Sequence, residues 1–258
     1  MASKRENKPP RDYVGSVRHA LDVLKAFDRD FPQMTLSSVS ERTGMTRAGA
    51  RRYLLTLEHL GYVRKDDRMF RLTARVLDLG FAFLATMPLA DIARPYLHWI
   101  TRETGEICGL AVLERGDIIH IVGSRVERVL APTLTIGRRF NALYASSGRA
   151  IAAFLDPQQA EALIKTCEIT ALTPHSLKSK DEIRAELKLI QKQGYAVVDQ
   201  EVEEGVRSIA VPVINKKGAP LGAVTVLTNV ATVSKKQLVE EILPVLQRIV
   251  PEIPIQAL

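Results

Sequence analysis

Cysteine is scarce in this chain: among 258 residues only Cys108 and Cys167 occur, far apart and in no CxxC spacing. That excludes a disulfide scaffold and a zinc ribbon, and it fits a reducing cytoplasm. Long apolar runs are missing as well. None reaches the roughly 18 residues that would cross a bilayer, so no membrane partner is expected. The opening MASKRENKPPRDY is charged and has no apolar h-region, so it is not read as a secretory signal. Enzymatic constellations are equally thin. The five histidines (His19, His59, His98, His120, His175) are scattered, with no HExxH and no cysteine at metal spacing. GRAIAA lacks both the P-loop Lys-Ser/Thr and the Rossmann glycines. Cys108 reads as a small core residue and His120, in DIIHIVG, as a packed or paired side chain. No catalytic residue, metal or cofactor is therefore expected.

What is present is a globular composition with an uneven charge. Hydrophobic residues make up 46% and charged residues 25%, which argues against disorder. Residues 1–80 carry sixteen Lys/Arg against ten Asp/Glu, and the remainder carries twenty against nineteen. The net charge of +7 thus belongs mostly to the N-terminal third. A polyanion partner for that third is the natural inference, and a solvated basic surface the plainer one.

The polar residues 1–12, with Pro9-Pro10, read as a disordered tail. Val17, Ala20, Leu21, Leu24 and Phe27 then fall at helical spacing. In TLSSVSERTGM, Thr35 is placed to cap a second helix and Gly44 to close it. Thr46 caps a third helix only a few residues on, in TRAGARRYLLTLEHLGYV. Two short helices joined through Gly-Met have helix-turn-helix spacing. On the third helix Ala50, Tyr53, Leu54, Leu57 and Leu60 share one face, while Ala48, Arg51 and Arg52 point the other way and Arg47 flanks the first turn. GYVRKDDRMFRLT follows as strand, turn and strand, with Arg64, Lys65, Arg68 and Arg71 interleaved among apolar residues. Three helices and a basic hairpin make a winged helix-turn-helix. Such a third helix presents its N-terminal residues to base edges in the major groove, while wing cations meet phosphate.

From Leu72 to Leu84 the pattern is helical and apolar on too much of its surface for a solvated linker, so a buried linker or dimer helix is expected, stopped at Pro88. A further helix over roughly 89–104 ends at Gly105. ICGLAVLE, DIIHIVGS and VLAPTLTI read as strands, and SGRAIAAFL, DPQQAEALIKT and DEIRAELKLIQKQG as helices. YAVVDQE, RSIAVPVIN and LGAVTVLT are again strands, and KKQLVEEILPVLQRIV is a closing helix. Strand runs beside strand runs imply an antiparallel sheet flanked by helices, hence an α+β fold. In ASSGRAIA, Ser146 and Ser147 lead into a helix start whose hydroxyls and free N–H groups suit a carboxylate; a capped helix is the plainer reading. GYAVVDQEVEEGVRSIAVPV places Asp199 at one strand end, with Arg207 and Ser208 early on the next.

Taken together, SVRHALDVLKAF, LSSVSERTGMTRAGARRYLLTLEHLGYV, RMFRLTARVLDLG, ASSGRAIAAFL, GYAVVDQEVEEGVRSIAVPV and LGAVTV resemble the IclR family of bacterial transcription regulators, in their order and spacing, from about Tyr13 to Pro251. Within it, ARRYLLTLEHLGYV and RLTARVLDLG are most similar to the branch controlling aromatic-acid catabolism. The resemblance implies a winged helix-turn-helix over 13–74, a linker helix over 75–88, and a GAF/PAS-like effector and oligomerisation domain over 89–258. It implies a cytoplasmic homodimer or dimer of dimers on a pseudo-palindromic double-stranded operator. Thr46, Arg47, Ala48, Arg51, Arg52, Arg64, Lys65 and Arg68 would meet DNA. Ser146, Ser147, Asp199, Ser208, Thr225 and Leu227 would line a pocket for a small organic acid, with Asp199 accepting from a ligand hydroxyl unless Arg207 neutralises it. Two other classes stand beside this reading. One is a nucleic-acid-binding protein whose C-terminal domain only oligomerises. The other is a small-molecule enzyme with a DNA-binding appendage, disfavoured by the missing catalytic set.

Overall fold

The computed structural model describes residues 10–124, 126 and 133–255. Most of the expected tail, residues 1–9, lies outside them, as does most of VLAPTLTI. The chain divides into two compact units, Met1–Thr86 and Met87–Leu258.

In the first unit, α1 (Gly15–Lys25), α2 (Leu36–Thr43) and α3 (Arg47–His59) surround a single core. Val23, Leu24, Val39, Ala50, Leu54 and Leu57 from the helices meet Met34, Val63 and Phe70 from a small sheet. The caps are where the side-chain chemistry requires them. Thr35 accepts from the Ser38 N–H and Thr46 from the Gly49 N–H, each satisfying a donor that a helix start leaves free. Gly44 closes α2 at φ 67°, a left-handed conformation that favours glycine. The hairpin strands β2 (Val63–Asp66) and β3 (Met69–Leu72) turn through Asp67 at φ 53°. A third strand, β1 (Gln33–Thr35), pairs with β3, so the wing sheet has the order β1-β3-β2. Three residues ahead of a helix cap carry no alternation long enough to read, and only pairing makes them a strand.

The link beyond the wing begins as a 3-10 turn, Ala74–Val76, and continues as α4 (Leu77–Ala85). It ends before Pro88, which does not stop this helix but opens α5 (Pro88–Thr104), at the first position, where proline's missing N–H costs nothing. Leu77, Leu79, Phe81 and Phe83 are all exposed on α4.

The second unit is built on a six-stranded, wholly antiparallel sheet of order β6-β5-β4-β9-β8-β7. Its strands are β4 (Ile107–Glu114), β5 (Asp117–Gly123), β6 (Arg139–Asn141), β7 (Ala196–Asp199), β8 (Val206–Ile214) and β9 (Pro220–Asn229). The described residues Thr133–Ile136 of VLAPTLTI are not strand; the strand that pairs with β5 starts at Arg139. Helix α6 (Ser146–Ala152) packs on β4, β7, β8 and β9. Helices α7 (Pro157–Thr166) and α8 (Lys180–Gln193) join it in one core. Small side chains let α6 approach closely: Ala111, Ala196, Ala210 and Ala223 line the sheet beneath it. Gly148 sits against Ala142, where an added Cβ would collide with the backbone carbonyl. Strand alternation sends Cys108, Leu110, Ile209, Val224 and Val226 to the other face. There α5 packs on β4 and β5, and the closing helix packs on α5 and β8. That closing segment is not one regular helix. It runs from α9 (Lys235–Gln237) through a π-helical turn, Leu238–Ile242, into α10 (Leu243–Ile249), with Pro244 in the first turn of α10.

Candidate functional site

On α3 the apolar positions Ala50, Leu54 and Leu57 are spent on the core, so the opposite face is left to solvent. Thr46, Arg47, Ala48, Arg51 and Arg52 are all exposed, and none of the three arginines has an ion-pair partner among the described residues. Leu55 is exposed as well, and nothing in this unit covers it. The wing cations differ from one another. Asp66 accepts from Arg64 at 3.1 Å and lies 2.8 Å from Arg71. Lys65 stands 6.0 Å over the Phe70 ring, and Arg68, at the turn, has no carboxylate partner among the described residues. Arg47, Arg51 and Arg52 at the start of α3, and Lys65 and Arg68 on the hairpin, thus keep their charge unneutralised among the described residues, as do Lys25, Arg29 and Arg75 elsewhere in this unit.

The second site is a cavity of about 240 Å³ in the C-terminal unit. Five of the six residues expected there do line it: Ser146, Ser147, Ser208, Thr225 and Leu227. The register explains how the sheet brings them together. Ser208 lies opposite Leu227, Ala210 opposite Thr225 and Val198 opposite Ser208, so these side chains share a face. Ser146, from the start of α6, stands 3.2 Å from the Thr225 hydroxyl, which itself donates to the Ile209 carbonyl. Thr225 has then used its one proton, and the Ser146 hydroxyl is the donor between the two. Ser147 and Ser208 spend their hydroxyls on no described partner, and no side chain caps α6.

Asp199 is not among the lining residues. Its carboxylate is gripped by Arg207, directly across the β7–β8 pair, at 2.8 and 3.0 Å. Arg207 also donates to the Val233 carbonyl, so it is occupied too. Arg207 therefore neutralises Asp199, the role the sequence left open to it.

The cavity also holds residues that the motifs did not single out. Phe140 and Arg138 line it, with the guanidinium 4.6 Å above the ring. Glu203 and Val202 come from the loop after β7. That loop is pinned from below by Arg149, which is 2% exposed. Its guanidinium donates to both Glu201 oxygens at 2.8 and 2.6 Å and to the Leu143 carbonyl at 2.7 Å. The sequence signal for it is a lone arginine inside the small-residue run SSGRAIAA. His120 lines the cavity as well, neither paired nor at the surface. A bulge puts it there: Leu110 pairs with Val122 but Ala111 with His120, so Ile121 is extra and the strand is re-aimed. Burial pushes the imidazole down to about pH 4, so it is neutral in ordinary conditions. Burial likewise pushes the Cys108 thiol upward, which leaves it inert.

Among the described residues no group of His, Cys, Asp and Glu is arranged to hold a metal, and no single helix is long and apolar enough to cross a membrane. Residues 16–67 match the IclR helix-turn-helix domain, and residues 81–254 match the family described as bacterial transcriptional regulator IclR C-terminal. The chain is 37% identical to the Pca regulon regulatory protein of Pseudomonas putida, over 91% of this chain and 81% of that one. It is 28% identical to the p-hydroxybenzoate hydroxylase transcriptional activator of Acinetobacter baylyi, over 94% and 88%. Among solved structures, a transcriptional regulator from Rhodococcus sp. RHA1 superposes with a TM-score of 0.84 at 34% identity, covering 93% of this chain and 97% of that one. With a helix-turn-helix in one unit and a hydroxyl-lined cavity in the other, the chain belongs to the IclR family of bacterial transcriptional regulators, DNA-binding proteins that respond to a small-molecule effector.

Proposed function

We propose that this protein controls genes for aromatic-acid catabolism, and that its effector is a small aromatic carboxylic acid held in the cavity of the C-terminal unit. The single observation that carries this reading is the cavity itself. At about 240 Å³ it falls below the roughly 300–1,000 Å³ of drug-sized sites, which suits a one-ring molecule. Val198, Val202, Val206, Leu227 and Phe140 provide an apolar wall, and the hydroxyls of Ser147 and Ser208 provide donors for a carboxylate. The likeness to regulators of the Pca regulon and of p-hydroxybenzoate hydroxylase supports the choice of an aromatic acid.

On the DNA side, Thr46, Arg47, Ala48, Arg51 and Arg52 would enter the major groove, and Arg64, Lys65 and Arg68 would approach phosphate. Residues 13–74 would form the DNA-binding domain, 75–88 the link and 89–258 the effector domain. The exposed Leu77, Leu79, Phe81 and Phe83 on α4 support a homodimer, or a dimer of dimers, on a pseudo-palindromic operator in the cytoplasm. Titration of the full chain with benzoate, 4-hydroxybenzoate, 3,4-dihydroxybenzoate and adipate in a calorimeter tests the effector. Ser147→Trp should fill the cavity and abolish the heat while operator binding persists; an unchanged affinity in that variant would place the pocket elsewhere.

A further inference from the structure

Most buried polar side chains of the C-terminal unit have partners among the described residues. Arg149 and Arg207 grip carboxylates, Ser146 and Thr225 bond each other, and Thr228 donates to the Arg207 carbonyl. His120 is buried to a similar degree, at 6% exposure, yet neither ring nitrogen has a hydrogen-bond partner among the described residues. A buried donor and acceptor left unmade carry an uncompensated desolvation cost, and native structures rarely retain one without a use for it. Here the orphaned group lines the cavity and meets the edge of the Phe140 ring at 6.5 Å between centroids.

Its place on the sheet says what end of a ligand it would meet. The strand order sets His120, on β5, two strands away from Thr225, on β9. At 4.7–4.9 Å per strand that is roughly 10 Å. The hydroxyl cluster of Ser146, Thr225 and Ser208 therefore lies at the far side of the cavity from His120. One aromatic ring with polar groups at opposite ends, and a hydrogen bond of about 2.8 Å beyond each, spans that distance. A neutral imidazole offers one donor and one acceptor, which matches a phenolic hydroxyl. A carboxylate only accepts; at this end it would leave the acceptor nitrogen unmet, and the one cation lining the cavity among the described residues, Arg138, is solvent-exposed.

We propose that His120 reads a ring hydroxyl of the effector, at the end of the molecule away from its carboxylate, and so makes the cavity selective for hydroxylated aromatic acids. This rests on the effector reading above and extends it from a class of acid to a pattern of substitution. The test is a ratio of affinities measured on the full chain, 4-hydroxybenzoate against benzoate. The wild type should favour the hydroxylated acid by roughly tenfold or more, the size of one well-made buried hydrogen bond. His120→Phe should remove that preference while leaving benzoate affinity nearly unchanged, and His120→Asn, which keeps a donor and an acceptor, should retain part of it. A side chain that merely supports the fold would lower both affinities together. Operator binding by each variant establishes that it is folded. If His120→Phe keeps the full preference, or weakens benzoate as much as 4-hydroxybenzoate, His120 does not read the hydroxyl and the proposal falls, although the cavity reading survives. If no acid binds the wild type, both fall together.

Discussion

Arg47, Arg51 and Arg52 in the N-terminal unit lie exposed on α3 with no carboxylate to meet them among the described residues. Arg149 and Arg207 in the C-terminal unit are buried, and each grips a carboxylate through two nitrogens. The same side chain serves opposite ends. An unpaired surface cation is cheap to keep in water and available to a phosphate, so the first unit stores charge for a partner. A buried cation without its counter-charge is severely destabilising, and Arg149 and Arg207 are spent on the protein's own carboxylates. The contrast teaches that exposed, unpaired arginines remain available to an outside partner, whereas the two buried arginines are committed to carboxylates within the unit.

The comparison can be broken most sharply at Arg149. Arg149→Met strands the Glu201 carboxylate, 12% exposed, and should cost about 3–5 kcal/mol in denaturant unfolding. Replacing Arg51 should change stability by no more than about 0.5 kcal/mol. Equal losses at the two sites would erase the distinction drawn here.

The next largest effect is acid lability of the C-terminal unit through His120. Unfolded, this histidine takes up its proton near its ordinary value of 6.5; folded, burial delays uptake to about 4. Between those values the unfolded chain binds the proton preferentially, so stability falls as pH falls through that window, by about 3 kcal/mol in all. Above pH 6.5 the group contributes no slope. His120→Phe should flatten the pH dependence of unfolding between 6.5 and 4, and an unaltered curve would show that the imidazole is not held neutral.

Smaller effects are expected at the DNA face. Arg52→Ala should cost about 1–3 kcal/mol in operator affinity if the guanidinium meets a base, with unchanged unfolding. A footprint that survives replacement of Arg47, Arg51 and Arg52 together would remove α3 from the interface. Smallest is the wing. Lys65→Ala should weaken all sequences about equally and lower the salt slope by about one. Arg64→Ala should do less, because Asp66 already holds that guanidinium. A larger effect at Arg64 than at Lys65 would mean that DNA displaces Asp66.

Much of this architecture is legible without coordinates, for local reasons. Thr35, Gly44, Thr46, Gly105 and Gly194 mark helix ends because capping is chemistry between residues a few positions apart. The buried face of α3, with Ala50, Leu54 and Leu57, is visible because helical periodicity is written along the chain. On α1 Leu24 is buried, but Val17 and Leu21 at the same spacing are exposed and Val23 is buried instead. The three-residue β1 is not visible, since it alternates too briefly and exists only through its pairing with β3. Asp199 shows the same limit at the candidate site. Its position in the chain suits a pocket residue, but the register puts Arg207 directly across from it and removes it from the ligand's reach.

The order of residues by itself determined most helix caps, the outward basic face of α3 and the α+β class, because each depends on spacing along one segment. From sequence, Ser208, Thr225 and Leu227 are pocket residues only as the family resemblance implies. Only the tertiary structure decided that Glu201 is the partner of Arg149, fifty-two positions away, that Asp199 is occupied, and that His120 is buried without a partner. The last turns on one extra residue, Ile121, in a strand pair. A bulge changes which face a side chain takes without altering the composition or the apolar pattern around it, so DIIHIVG reads the same either way and only the pairing with β4 settles where its histidine points.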